Sequence, residues 1–209
     1  MFDPVFNYLE QNKIPVCGHI GEPRACWSPF DQMTTNNDIA YFKAHPEYHM
    51  YLHPEFPSYE AQIQSRDHLL EKHPGLRFVG AHLGSMEWSV DEMAKRLDKF
   101  PNMALDFAER VGHVQYQTMN DWQKVHDFFI KYQDRLIYGT DLEENETDNA
   151  DTIKTNAHKL WVRDWKYFTS GDTLESPLVN GKFRGLRLPK AVVDKLYYKN
   201  AAKWYLQKS

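Results

Sequence analysis

Three segments of the sequence end an apolar run with a side chain that is capable of acid–base or metal chemistry. His19 follows the run IPVCG, His82 follows FVGA, and Asp141 follows LIYGT. Each run is rich in residues that favour β-strands, and a polar loop comes after it. Because the carboxyl ends of parallel strands meet at one end of a sheet, we expect these three side chains to lie close together.

The chemistry that these side chains offer is metal binding or proton transfer. Imidazole and carboxylate are ligands that suit Zn²⁺ or Mn²⁺, and a bound ion lowers the pKa of its water toward ~7. A nearby histidine or carboxylate can then take or return a proton. Taken singly, a histidine at a strand end is more often a hydrogen-bonded core residue, and Asp141 could cap the next helix. The repetition at successive strand ends favours the functional interpretation.

Composition restricts the class of protein. An apolar fraction of 42% with 14% aromatic residues excludes a disordered chain. The net charge of -4 gives no electrostatic reason to expect nucleic acid or an anionic membrane as partner. No run approaches the ~20 apolar residues of a membrane-spanning helix, and the first residues lack a signal-peptide pattern. Cys17 and Cys26 are expected to be reduced thiols, so we predict a cytoplasmic protein.

The spacing of apolar residues predicts strands that alternate with helices. The predicted helices are 4–12, 59–73, 90–100, a helix after Asn120 and a closing helix from Pro189, and the predicted strands are 14–18, 77–82, 103–108 and 135–140. This alternation indicates an α/β fold with a parallel sheet. No linker divides the chain, so we expect one domain over 1–209. The aromatic and proline-rich segment 22–57 is too long for an ordinary connection, and we expect a loop over the active-site face.

Four strand–helix units make half of an eight-stranded barrel. The chain begins within a helix that would naturally follow an earlier strand. Two architectures are open: a small open α/β sheet, or about the last four βα units of a TIM-barrel of the (β/α)8 type. The chemistry at the strand ends favours the second, because barrel active sites are built at that end of the strands.

At these residues the chain resembles the metal-dependent amidohydrolase superfamily, in its amidohydrolase 2 branch. The segments IPVCGHIGEP, HPGLRFVGAHLGS, FPNMALDFAER and DRLIYGTDLE are similar to the fifth to eighth strands of that family, and YYKNAAKWYL is similar to its terminal helix. The resemblance implies a TIM-barrel hydrolase or decarboxylase that acts on a small, carboxylated organic substrate. It also implies a divalent metal, most often Zn²⁺, with Mn²⁺ as the alternative.

The resemblance also assigns roles to the three strand-end residues. His19 would be a metal ligand, His82 a metal neighbour or general acid/base, and Asp141 a metal ligand or catalytic base. The family's first strand carries a His-x-His pair, which this sequence lacks. The alternative is therefore a non-catalytic half barrel that needs a partner chain, and self-association into a homo-oligomer is expected in either case.

Further candidates lie close to these strand ends. Arg24 and Arg110 are candidates to clamp a substrate carboxylate, with a surface ion pair as the equal alternative, and Trp27 is a candidate to wall the substrate pocket. Glu22 and Glu143 are candidates to support the ligands. The remaining candidates are three histidines spaced four apart, which we expect in a loop rather than in a metal cluster: His45, His49 and His53.

Overall fold

The computed structural model describes residues 2–143 and 147–206. Within these ranges no helix is both long and apolar enough to cross a lipid bilayer. The elements in chain order are α1 (Asp3–Gln11), β1 (Val16–Gly18), α2 (Asn36–Ala44), α3 (Tyr59–Lys72), β2 (Phe78–Gly80), α4 (Ala81–Gly84), α5 (Val90–Lys99), β3 (Met103–Asp106), α6 (Val111–Asn120), α7 (Trp122–Lys131), β4 (Leu136–Ile137), α8 (Ala150–Thr169), β5 (Thr173–Leu174), β6 (Phe183–Arg184) and α9 (Lys190–Asp194).

The first four strands form one parallel sheet in the order β1-β2-β3-β4. Its register pairs Val79 with Ala104 and Leu105 with Leu136. Neighbouring strands in the sheet are therefore also consecutive strands in the chain, as in one arc of a βα barrel, whereas a doubly wound sheet reverses its order. The predicted α/β fold with four βα units is confirmed, and β5 pairs antiparallel with β6 in a separate hairpin.

The strands carry apolar side chains at successive positions, and these point alternately to the two faces of the sheet. Phe78, Met103 and Leu105 are fully buried on the face that packs against the helices. Val79 and Ala104 point to the opposite face, which we call the inner face, because successive side chains of a strand alternate. Both faces are apolar, as expected for a parallel sheet that is covered on both sides.

The inner face is covered by the end of the chain. After α9 the backbone continues in wide, π-type turns over Lys195–Lys199 and Ala202–Leu206. These turns place the buried Trp204 against Val79, Ala104 and Ile137. The Trp204 indole N–H donates to the carbonyl of Asp134 at 3.1 Å, so its polar atom is satisfied as well.

The segment 22–57 contains a helix that the sequence pattern did not predict. In α2 the buried residues are Asp38 and Phe42, and the helix follows short 3-10 turns that pack around Cys26 and Met33. One of the two inward-facing residues of α2 is charged, so the apolar period that would reveal a helix is missing. The segment is therefore a partly helical cover that lies beside the carboxyl ends of the strands.

Gly80 at the end of β2 leaves room for the turn that follows it. A methyl group at Gly80 would lie 2.9 Å from the backbone Cα of Gly84, a contact that a side-chain rotation cannot relieve. We therefore expect Gly80→Ala to lower the free energy of unfolding by about 1–3 kcal/mol, the usual cost of overpacking. Urea denaturation would measure the loss. A matched substitution at Gly139, where the nearest atoms lie at 3.6 Å, should cost less.

Candidate functional site

A cavity of about 720 Å³ lies at the carboxyl ends of the parallel strands. Side chains from the strand ends form its floor, and aromatic residues of the 22–57 segment form a wall. The lining residues that carry polar or charged groups are His19, Glu22, Asn37, Asp38, Tyr41, Tyr48, Gln62, His82, Glu109, Arg110, Asp141 and Glu143. All three strand-end residues that the sequence indicated therefore share one cavity.

His82 lies in an unusual backbone turn directly after β2. The φ angles of His82, Leu83, Gly84 and Ser85 are +54°, +58°, +62° and +57°, so four successive residues are left-handed. This conformation costs roughly 1–2 kcal/mol for each residue other than glycine. The surrounding structure must therefore hold the turn, and backbone strain of this kind concentrates at functional sites.

Buried hydrogen bonds hold this turn from the helix side. The Arg66 guanidinium, itself fully buried, donates to the carbonyl of Gly84. The Tyr59 hydroxyl donates to the carbonyl of Ser85 at 2.6 Å, and the Ser85 hydroxyl donates to the carbonyl of Gly21 at 2.6 Å. These contacts tie the turn to α3 and to the loop after β1, so two parts of the fold fix the position of His82 from this side.

Asp106 at the end of β3 orients His82 from the other side. One carboxylate oxygen of Asp106 accepts the backbone N–H groups of His82 and Ala108, each at 3.1 Å. Burial raises the pKa of Asp106, although these N–H groups and the charge of His82 act in the opposite direction. The His82 Nδ1–H donates to the carbonyl of Ala108 at 2.9 Å. A carbonyl oxygen can only accept, so Nδ1 carries a proton and Nε2 is the ring nitrogen that faces the cavity.

The free nitrogen of His82 faces Asp141. Their atoms Nε2 and Oδ2 are 3.7 Å apart, slightly beyond a direct hydrogen bond. The His19 ring lies 4.7 Å from the His82 ring between centroids, and its Nε2 is 3.7 Å from a Glu22 oxygen. His82 is largely buried, whereas His19, Glu22 and Asp141 are about half exposed. The arrangement pairs a buried base with carboxylates that water and substrate can reach.

Left-handed backbone recurs at the other strand ends that line the cavity. Glu109 after β3 has φ +59°, and Asp141 after β4 has φ +54°. With His82 after β2, three successive strand ends present a cavity-lining side chain from this conformation. A tight turn at the end of each strand turns the side chain over the mouth of the sheet instead of continuing the strand. The pattern therefore supports this edge as the candidate site.

A buried ionic network closes one side of the cavity. The His113 Nε2–H donates to Asp38 at 2.9 Å, and the Arg110 guanidinium lies 3.8 Å from Asp38 and 3.2 Å from Glu109. Burial acts to raise the pKa of Asp38, but the hydrogen bond and charge of His113 and the charge of Arg110 outweigh it, so this pKa lies below its usual range. Among the described residues the buried Nε of Arg110 has no partner.

The structure separates the three predicted substrate-binding residues. Arg110 lines the main cavity. The Arg24 guanidinium instead stacks on the ring of Trp88, 4.1 Å from its centroid, and lines a neighbouring cavity. The Trp27 indole N–H donates to the carbonyl of Pro57 at 3.3 Å, and Trp27 is not among the residues that line the main cavity. A substrate role for each of the three stays a prediction.

Of the remaining candidates, some line the main cavity and others belong to the packing of the 22–57 segment. Glu22 and Glu143 both line the main cavity near the strand-end residues. The three histidines of the 22–57 segment belong to its aromatic packing instead: His49 is buried and contacts the carbonyl of Ser28 at 2.8 Å, and His45 packs on Tyr41. This placement follows from the prolines that interrupt the segment and prevent one continuous helix face.

The side chains at this site have donor atoms that suit a divalent metal, but too few of them are placed to bind one ion. Imidazole and carboxylate are suitable donors, and the bond from His82 Nδ1 to a carbonyl is the usual support of a ligating histidine. Over residues 2–143 and 147–206, however, no three His, Cys, Asp or Glu side chains are placed to hold one ion together. Catalytic zinc sites use three protein ligands. The described residues therefore do not form a complete metal site, and the chemistry derived below uses the protein's own groups.

Three residues that orient or enclose the candidate site were not indicated by the sequence analysis. Asp106 could have been recognised from the sequence, because it is the one charged residue in the otherwise apolar run MALDFA. No sequence pattern links Asp38 to His113, since they are 75 residues apart and belong to elements that meet only in the folded chain.

Glu87 gives this region a dependence of stability on pH. It is almost fully buried, and burial raises its pKa although His113 and Arg110 act in the opposite direction. A carboxyl with a raised folded pKa stabilises the fold below its unfolded pKa of about 4.3, and this contribution is lost as pH rises to the folded pKa. Glutamine does not titrate, so we expect Glu87→Gln to lack this loss of stability. The free energy of unfolding of the variant, relative to wild type, should therefore increase as pH rises from the unfolded pKa of Glu87 to its folded pKa.

Thermal unfolding at a series of pH values tests the prediction for Glu87. The exposed Glu60 offers a matched control, because Glu60→Gln should leave the pH dependence unchanged. The same pH dependence in Glu87→Gln and in wild type would show that Glu87 does not carry the effect.

The chain is similar to known proteins over most of its length. A family model described as Amidohydrolase matches residues 1–206. Among solved structures, an uncharacterized TIM-barrel protein from Bordetella bronchiseptica is similar at 20% identity and a TM-score of 0.35, over 78% of this chain and 51% of that one. This chain thus spans about half the length of that protein. A search of curated proteins found no match. From the family match over almost its whole length, the chain belongs to the amidohydrolase family.

Proposed function

We propose that this chain is a hydrolase or lyase of the amidohydrolase type, in which His82 and Asp141 transfer the proton. The observation that carries the proposal is the geometry of His82. Its Nδ1–H is engaged by the Ala108 carbonyl, so Nε2 is free to accept a proton and faces Asp141 at 3.7 Å. Membership of the amidohydrolase family supports the same class of reaction.

In hydrolysis, Asp141 or His82 takes a proton from a water molecule as its oxygen attacks the carbonyl carbon of the substrate. The bond to the leaving group then breaks, and the protonated residue returns the proton to that group. In decarboxylation no water is deprotonated. The bond between the substrate carbon and its carboxylate breaks, CO₂ leaves, and Asp141 or His82, protonated from solvent beforehand, gives its proton to that carbon. General acid–base catalysis of this kind contributes typically about 10²–10⁴-fold in rate.

We propose a small, carboxylated organic substrate, with Arg110 as its anchor. The guanidinium of Arg110 is held between Asp38 and Glu109, and its buried Nε has no partner among the described residues. A substrate carboxylate could accept from that nitrogen, since Arg suits carboxylate geometry. The aromatic wall formed by Tyr41 and Tyr48, whose rings are nearly parallel, would contact the apolar part of the substrate.

A divalent ion, Zn²⁺ or Mn²⁺, is part of this proposal because the amidohydrolase family usually uses one. From this chain His19 and Asp141 would hold the ion, and at least one further ligand is required. The bound ion would supply a more acidic water.

A substrate screen tests the proposed function. The purified chain would be incubated with amides, esters, lactones and aromatic or unsaturated carboxylic acids, with Zn²⁺ or Mn²⁺ added or with a chelator, and both hydrolysis and CO₂ release would be measured. We expect one substrate class to be turned over, and His82→Asn, which tolerates the left-handed backbone, to abolish most of that turnover. A folded chain that turns over none of these substrates with either metal would contradict the proposal.

A further inference from the structure

A second, smaller cavity of about 260 Å³ lies beside the main one. Its lining comes from the loop after β1, from the segment after α4 and from α6. The lining residues that carry polar groups are Arg24, Ser28, Gln32, Thr34, Glu87 and His113. Because this volume is slightly below the ~300 Å³ of the smaller ligand pockets, it suits a molecule of few heavy atoms.

Two buried side chains that line this cavity each have one polar atom without a hydrogen-bond partner among the described residues. Glu87 is 1% exposed and His113 is 3% exposed. One Glu87 oxygen accepts the backbone N–H of Arg24 at 2.9 Å, but Oε2 has no partner among the described residues. The Nε2 of His113 is bound to Asp38, whereas its Nδ1 also has no partner among the described residues. Leaving such buried groups unpaired is unfavourable, and a ligand that pairs with them would relieve that penalty.

The chemistry of these two groups defines the complementary ligand. If the Glu87 carboxyl is protonated and His113 is neutral, the cavity offers one donor and one acceptor. If the proton is on His113 instead, donor and acceptor exchange places. A primary carboxamide carries a carbonyl acceptor and an N–H donor on the same planar group, so it complements both protonation states.

The mouth of the cavity adds a positive charge. The Arg24 guanidinium is held on the face of Trp88 at 4.1 Å, and within the described parts of the chain it forms no salt bridge. An arginine held flat in this way presents its N–H edge to a carboxylate. We propose that this cavity binds a small molecule with a primary carboxamide at the Glu87–His113 end and a carboxylate at the Arg24 end. The proposal is independent of the reaction in the main cavity.

Binding of succinamate, which carries both groups, tests the proposal. Titration calorimetry would give its affinity, and ¹⁵N spectra of the histidine rings would locate it. We expect saturable binding with a shift of the His113 Nδ1 resonance. Propionamide, which lacks the carboxylate, and succinate, which lacks the amide, should each bind more weakly. A shift at His82 without one at His113 would place the ligand in the main cavity and overturn the proposal. The absence of saturable binding would also overturn it, because the cavity would then hold water only.

Two variants separate the contributions. Arg24→Met should weaken succinamate binding several-fold and leave propionamide unaffected, since Arg24 is solvent-exposed and its charge is screened. Glu87→Met should weaken both amides by about 10-fold, the effect of losing a hydrogen bond to a buried group. Arg184→Met is the matched control, because Arg184 also stacks on a tryptophan but lies outside the cavity. The proposed orientation would be refuted if Arg24→Met bound succinamate as tightly as wild type does and if wild type bound succinamate and propionamide with equal affinity. This outcome can be read even if Glu87→Met fails to fold.

Discussion

Asp141→Asn is expected to fold as wild type does and to lose at least ~100-fold in turnover, the usual scale for removing an acid–base group. Asparagine has the shape of aspartate and, among residues other than glycine, tolerates the left-handed backbone that Asp141 adopts at φ +54°. The substitution therefore removes charge and basicity 3.7 Å from His82 Nε2 and leaves the turn intact. Steady-state kinetics with the substrate found in the screen, together with a thermal melt, would measure both effects.

Asp172→Asn is the matched control for this experiment. Asp172 is exposed near the β5–β6 hairpin and is not among the residues that line the main cavity, so its substitution should change neither turnover nor stability. Wild-type turnover in Asp141→Asn would remove Asp141 from the mechanism. A variant that does not fold would instead indicate that Asp141 stabilises the turn after β4.

The largest effect on stability is expected for Trp204→Ala. Trp204 is 7% exposed and covers Val79, Ala104 and Ile137 on the inner face of the sheet. Its removal would expose this face and leave the carbonyl of Asp134 without its indole donor. We expect a loss of about 3–5 kcal/mol in the free energy of unfolding, as for other buried aromatic residues replaced by alanine. Equilibrium denaturation in urea would measure it.

The exposed tryptophans provide the control for Trp204. Trp161 on α8 is 51% exposed, so Trp161→Ala should change the free energy of unfolding by no more than about 0.5 kcal/mol. If Trp204→Ala were as mild as Trp161→Ala, the terminal turns would not cover the sheet in solution.

Much of the fold followed from local patterns. Each of the four parallel strands lies within its predicted run, but all are shorter than predicted. The strand β4 covers only two residues of 135–140, and β2 is three residues shorter than 77–82 because the chain turns at Ala81. The helix after Asn120 is capped one residue later than expected, since the Asp121 side chain accepts the N–H of Lys124 at 3.0 Å. Such boundaries depend on single hydrogen bonds and are poorly encoded in periodicity.

Helix α8 illustrates where such patterns fail. Its buried residues include Asp164 as well as Tyr167 and Phe168, whereas Trp161 and Trp165 are about half exposed. Asp164 is held by the Tyr138 hydroxyl at 3.0 Å and by Arg163 at 2.8 Å. A helix that buries a charge and exposes tryptophans shows no clear apolar stripe, so only its partners in the folded chain explain it.

The apolar runs were enough to predict that His19, His82 and Asp141 share one edge of the protein, because the carboxyl ends of parallel strands lie on the same side. What those residues face depends on contacts between distant parts of the chain. The left-handed turn of His82 is held by bonds from α3 and from the loop after β1, and the pairing of Asp38 with His113 joins elements that are distant in the chain. Contacts of this kind form between segments with no common sequence pattern, so they emerge only when packing brings the segments together.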